Sequence, residues 1–299
     1  MKRRAQIRLL QDGRRLHLHD GPIDLIVEAF GAPHEVETAY QAASARFVTV
    51  LDELCCELSF LRTECCVETE WPQGRVARRM VAAVIPYASC YFITPMAAVA
   101  GAVAEEILDA MMEVAELLRA YVNNGGDIAL HLRANEKFVI GMVERPDRPS
   151  LFGTTTIMAS DPVRGIATSG WRGRSFSMGI ADAVTVLADR AAAADAAATI
   201  IANAVDLPGH PAIVRVQAHA LDPDSDLGDR LVTQAVDALT TEETHLALEN
   251  GVRTAESLLK LGLIRSAALN LQGETRVVGA LMNLPVSTPT VGERSLAHA

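Results

Sequence analysis

One stretch limits the fold more than any other: AAAADAAATIIANAV, residues 191–205. Its side chains are nearly all small and apolar, so a helix built from it has no polar face to turn to water and must be covered on most sides. Three polar residues interrupt it, Asp195, Thr199 and Asn203, each four positions from the last. At ~100° per residue they fall within a stripe about 80° wide. A buried carboxylate without a partner is expensive, so this stripe is expected to meet a metal, an arginine or backbone N–H groups, unless it faces water. An aspartate and a threonine one turn apart offer hard oxygens of the kind that suit Mg²⁺ or Ca²⁺.

A second crowded stretch is GIATSGWRGRSFS, which packs Thr168, Ser169, Gly170, Arg172, Gly173, Arg174, Ser175 and Ser177 into ten positions. Glycines there let N–H groups turn toward a ligand, and hydroxyls and guanidinium groups add donors. The pattern suits a phosphate or carboxylate cradle, or else an ordinary polar hairpin tip; it lacks the GK[ST] ending of a P-loop. Gly125, Gly126 and Asp127, in NNGGDI, read as a turn before a strand. The glycines permit left-handed backbone or close approach of a ligand, and Asp127 is placed to cap, ligate or brace the turn.

Around these stretches the chain reads as an α+β unit with mostly antiparallel strands and long helices packed on them. An N-terminal strand pair is expected over 4–19 and helices over 35–66, 75–90, 95–122 and 190–204. Strand, loop and strand follow one another over 165–188, with a further strand after Pro211. Helices near 230–238 and 241–261 then precede strands near 263–271 and 275–281. The run PMAAVAGAVA is small on every side, which places Gly101 at a close helix contact. Residues 1–284 are expected to form one unit, or two intimately packed subdomains, and 285–299 a polar tail. The segment 145–149 is expected to be a loop.

Net charge is −10, which repels a phosphate backbone and argues against general nucleic-acid binding. No apolar run is long enough to span a membrane, and MKRRAQIRLLQDG lacks the apolar centre of a signal peptide, so a cytoplasmic setting with free thiols is the expectation. The cysteine pairs 55–56 and 65–66 lack zinc-site spacing and read as small buried hydrophobes. Arg75, Arg78 and Arg79 read as a solvated face.

Four segments, PMAAVAGAVAE (95–105), NGGDI (124–128), GIATSG (165–170) and GIADAVTVLADRAAAADAAATIIAN (179–203), together resemble the ApbE-like, flavin-transferase-related superfamily. Their order and spacing resemble its cytoplasmic, uncharacterised branch. The resemblance spans most of residues 20–280 and implies an ApbE-like fold. Better-known relatives use Mg²⁺ and FAD to attach FMN through a phosphodiester to a threonine of a partner protein. By that resemblance Asp195 and Thr199 are metal ligands. Gly125, Gly126, Asp127, Thr168, Ser169 and Gly170 then line a nucleotide site, joined by the donors Arg172, Arg174 and Ser175. Where those enzymes carry a histidine-proline segment after TSG, this chain reads WRGRSFSMG. The implied ligand is a small molecule or nucleotide. A sulfur carrier in sulfide assimilation, with a cysteine thiolate, and a non-catalytic fold relative are the alternatives, and a homo-oligomer is left open.

Overall fold

The structure, a computed structural model, describes residues 4–68, 70–143 and 151–280. The chain opens with the meander β1 (Gln6–Leu9), β2 (Leu16–Asp20) and β3 (Ile23–Phe30). Helices α1 (Pro33–Cys56), α2 (Leu58–Leu61) and α3 (Arg75–Val84) follow. A 3-10 turn over Pro95–Ala98 then leads into α4 (Val99–Met112). The next strands are β4 (Arg119–Asn124), β5 (Asp127–Leu132), β6 (Lys137–Val143), β7 (Leu151–Met158), β8 (Gly165–Ser169) and β9 (Ala183–Ala188). After α5 (Ala191–Ala204) come β10 (Ile213–Gln217), α6 (Ala218–Leu221), β11 (Leu231–Val236), α7 (Thr241–Lys260), β12 (Ser266–Leu271) and β13 (Glu274–Val278).

Nine strands make one sheet in the order β1-β2-β3-β4-β5-β8-β9-β12-β13, and every neighbouring pair is antiparallel. Side chains alternate across it. Leu25, Val27, Ala120, Val122, Ala129, Ala167, Val184 and Val186 pack into the helices on one face. Leu130, Ile166, Leu187 and Ala268 pack on the other, with Ile157 of the β6–β7 hairpin. The architecture is therefore α+β with mostly antiparallel strands, as the sequence indicates.

Three expected helices are corrected. The pattern read as one helix over 95–122 ends at Met112, and Arg119–Asn124 is a strand paired with both β3 and β5. Its burial alternates residue by residue, a period of two that the preceding apolar run hides. Residues 231–236, read as helix, form β11 against β10. The helix expected over 35–66 breaks at Glu57, so the cysteine pairs do not lie on one straight helix. All five thiols are free, and Cys65 alone is buried. Arg79 is no solvated side chain: with Arg46 and Arg75 it meets the buried Glu106. The segments 145–149 and 285–299 lie outside the described residues. Among the described residues no helix is long and apolar enough to cross a membrane.

Candidate functional site

Two helices without N-caps of their own create the site. Helix α7 carries a complete capping box, Thr240 with Glu243. By contrast α4 begins after Ala98 and α5 after Arg190, and neither residue's side chain caps. The first N–H groups of each need an acceptor from elsewhere. The two helices supply one another. Asp195 on α5 accepts from the Gly101 N–H of α4 at 3.0 Å, and the Ala100 N–H also bears on its carboxylate. Glu105 on α4 accepts from the Ala192 N–H of α5 at 2.9 Å.

This exchange requires contact at backbone distance, and Gly101 allows it. A Cβ there would lie 2.4 Å from the Ala191 carbonyl oxygen and 2.7 Å from the Ala192 nitrogen. The small residues of α5 are the other half of the same fit, since Ala191, Ala192, Ala194 and Ala196–Ala198 are all buried. The polar stripe thus does not face open water. Asn203 at its far end accepts from Ser177 Oγ at 3.1 Å and the Met178 N–H at 2.9 Å, which pins the loop after β8. Thr199 stands half-buried one turn beyond Asp195 on the same stripe.

The β4–β5 turn brings the second carboxylate. Gly125 and Gly126 have φ of 66° and 116°, in the left-handed region that glycine tolerates. The Gly126 N–H donates to Asn123 Oδ1 at 2.8 Å, and Asn124 Nδ2 ties the turn to the Ala100 carbonyl at 3.1 Å. Asp127 shares the helix-facing side of β5 with Ala129 and accepts from the Thr168 N–H at 3.2 Å.

The sequence candidates fall into two groups. Gly125, Gly126, Asp127, the Thr168 N–H, Arg174 and Asp195 come together, and the pleat turns Ser169 to the same face as Ala167. The Thr168 hydroxyl lies on the other face, 2.9 Å from Thr185 Oγ1. Arg172 is occupied by the buried Asp182 at 2.7 Å and stacks 4.2 Å from the Trp171 ring centroid. Gly170 allows that loop to approach, for a Cβ there would lie 2.5 Å from the Asp182 carbonyl oxygen. Ser175 is exposed. Sequence reasoning did not single out Glu105, Asn124 or Asp182. For Glu105 a signal existed: it is the first acid in a run of small residues that has no cap of its own.

Electrostatically the pair is frustrated. Burial pushes Asp127 up to about 7, against the Thr168 N–H and the Arg174 charge, which favour its ionised form. Burial, then the charge of Asp127, raise Asp195 well above the usual carboxylate range, while the Gly101 and Ala100 N–H groups hold it down. A carboxyl that protonates more readily folded than unfolded makes stability fall as pH rises between the two pKa values. For Asp127 that window runs from its ordinary 3.8 to about 7. Measured without divalent cations, wild type should lose stability relative to Asp127→Asn across that range. Parallel pH profiles for the two proteins would refute the electrostatics of the pair.

Among the described residues no three acidic, histidine or cysteine side chains cluster as a metal site. Two carboxylates and a hydroxyl remain, and Mg²⁺ is commonly held by one or two carboxylates with waters and ligand phosphates completing its shell. The donors present therefore fit a hard divalent cation shared with a ligand, and do not fit a closed all-protein cage.

A family model described as "AbpE bacteria" matches residues 7–277. A UPF0280 protein of Methanopyrus kandleri is 38% identical over 145 residues, 48% of this chain and 55% of that protein. One from Methanosarcina acetivorans is 32% identical over 184 residues, 61% and 70% of the two chains. The chain thus spans about half the length of the first of these relatives. Among solved structures, the apo form of the Pseudomonas stutzeri flavinyl transferase ApbE aligns with a TM-score of 0.47 and 11% identity, over 92% of this chain and 93% of that one. The flavin transferase ApbE of Vibrio cholerae aligns with a TM-score of 0.38 and 11% identity, over 92% and 97%. At such scores these alignments carry no argument about the site.

Proposed function

The chain belongs to the family described as AbpE bacteria, and from that premise we propose that it binds a flavin nucleotide, FAD or FMN, through a divalent cation at Asp127 and Asp195. The observation that supports this most is the meeting of two poorly solvated carboxylates from separate elements, each with its charge raised in cost by its surroundings. A cation between them would offset that cost. Thr199, one turn from Asp195, adds a hydroxyl ligand, and Mg²⁺ is the hard cation that this donor set suits.

The chain's own groups divide the remaining work. The Gly101 N–H orients the Asp195 carboxylate through Oδ2, and the Thr168 N–H does the same for Asp127 through Oδ1. The glycine turn at 125–126 offers backbone at close approach, and Ser169 and Ser175 add hydroxyls on the neighbouring strand end and loop. Arg174 brings positive charge to where phosphate oxygens would lie. Arg172 acts one step removed, holding the loop through Asp182. If the site carries out transfer chemistry, the bound cation supplies charge neutralisation at the phosphate.

Titrating the purified protein with FAD, followed by flavin fluorescence, tests this proposal. Binding is expected in Mg²⁺, with loss in EDTA and in Asp127→Asn and Asp195→Asn. The asparagine at 195 can still accept from Gly101, so the helix cap is kept while the charge is removed. FAD binding indifferent to chelation and to both substitutions would refute the proposal.

A further inference from the structure

Arg174 differs from the other arginines near the site. Arg172 is engaged with Asp182, Arg79 with Glu105, Glu106 and Asp109, and Arg190 with Glu105. Arg174 is exposed and makes no ion pair within 4 Å and no side-chain hydrogen bond among the described residues. An exposed guanidinium is normally left to extend into water. This one instead lies down on the β4–β5 turn. Its Nη2 comes 2.2 Å from where a Cβ of Gly125 would stand, so any side chain at 125 would displace it. Its charge is felt by Asp127 two residues along.

The position is that of a stand-in charge. A guanidinium near Asp127, one of the two ill-solvated carboxylates, offsets part of the charge there, and it opposes the entry of a second cation by the same Coulomb term. It is also weakly held, with Gly173 before it and Ser175 after it in an exposed loop. A planar guanidinium free of partners binds phosphate oxygens bidentately and with geometric preference. A ligand phosphate can therefore do what water does not, and draw the side chain off the turn.

We infer that Arg174 makes the cation site selective for phosphate-bearing ligands: its guanidinium covers the Gly125–Asp127 turn until a phosphate draws it away, and the carboxylate pair then takes the cation. This rests on the cation site proposed above. Cation and phosphate ligand then bind cooperatively, each raising the affinity for the other by the same factor. A neutral analogue that lacks the phosphate gains no such help.

Mn²⁺ binding, followed by electron paramagnetic resonance without any nucleotide, tests the inference. Methyl phosphate serves as the probe anion because it chelates Mn²⁺ only weakly. In wild type, methyl phosphate is expected to tighten Mn²⁺ binding on the order of tenfold, the scale set by removing one unit charge near a partly solvated site. Arg174→Gln is expected to bind Mn²⁺ about tenfold more tightly than wild type without the anion, and to gain nothing from it. Asp195→Asn run alongside separates the two claims. Mn²⁺ binding that depends on Asp195 but is the same in wild type and Arg174→Gln overturns the inference alone. Mn²⁺ binding unaffected by Asp195→Asn overturns the cation site and the inference with it.

Discussion

Gly101→Leu is expected to cost roughly 3–5 kcal/mol of folding free energy, from overpacking and the loss of two helix caps together. Helix propensity alone predicts the opposite sign, because glycine inside a helix costs about 1 kcal/mol relative to alanine. The decisive fact is what lies opposite. A Cβ at 101 would meet backbone atoms, the Ala191 oxygen at 2.4 Å and the Ala192 nitrogen at 2.7 Å, and backbone cannot rotate aside as a side chain can. Relief requires α4 and α5 to separate. Separation lengthens both the Gly101–Asp195 and the Glu105–Ala192 bonds, so the two caps fail together. Even Gly101→Ala should destabilise, which isolates the steric effect from leucine's bulk. Urea denaturation of the three proteins measures this. An alanine variant as stable as wild type would contradict the packing account.

Glu106→Ala should cost about 3 kcal/mol, the low end for breaking a buried ion pair, for a different reason. The Glu106 side chain is fully buried, at 0% exposure. It accepts from Arg46 Nε at 2.7 Å and Arg79 Nε at 3.1 Å, with Arg75 Nε at 3.3 Å. Alanine would leave Arg46, still bonded to Glu53, and Arg79, still bonded to Glu105 and Asp109, facing one another without the anion between them. The cost is that of two crowded, largely buried guanidinium groups each losing an acceptor, not the net worth of the ion pairs. Glu106→Gln keeps one acceptor oxygen and should lie between wild type and alanine. The same network joins α1, α3 and α4, so its failure should also loosen the helix whose N-terminus holds Asp195. Chemical denaturation that places Glu106→Ala within about 1 kcal/mol of wild type, a margin well under the usual cost of breaking a buried pair, would show that Glu53, Glu105 and Asp109 satisfy the arginines without it.

Much of this was readable from residues taken in order. The all-small stretch at 191–204 demanded a crowded helix, and its polar stripe demanded partners; both demands are local to the sequence. Strand β4 was not legible, because ELLRAYV carries apolar residues that satisfy a helical as well as an extended period. Pairing with β5 across the glycine turn and with β3, about ninety residues away, decides between them. The same holds for β11, which α6 and a loop separate from its partner β10. Within the site, the sequence grouped the glycine turn, the loop after β8 and the α5 stripe, guided by resemblance. It could not distinguish Arg172 from Arg174, two residues apart in one loop. That distinction depends on Asp182, which lies just before β9 and receives Arg172, Trp171 and the Gln272 N–H. Likewise the sequence asked what answers Asp195, but the answer, backbone N–H groups of α4, emerges only when two uncapped helices meet. That capping role also means that Asp195→Ala would disturb the fold whether or not a cation binds, so the charge must be tested with asparagine.

On the proposed function, Asp127 and Asp195 together hold a divalent cation. The most direct test is anomalous diffraction from crystals soaked in Mn²⁺ with FAD. A peak is expected between the two carboxylates, at about 2.0–2.1 Å from an oxygen of each as for a small hard divalent ion, with Thr199 beside it. Full FAD density with no anomalous peak at this position, or a peak coordinated by other residues, would contradict it.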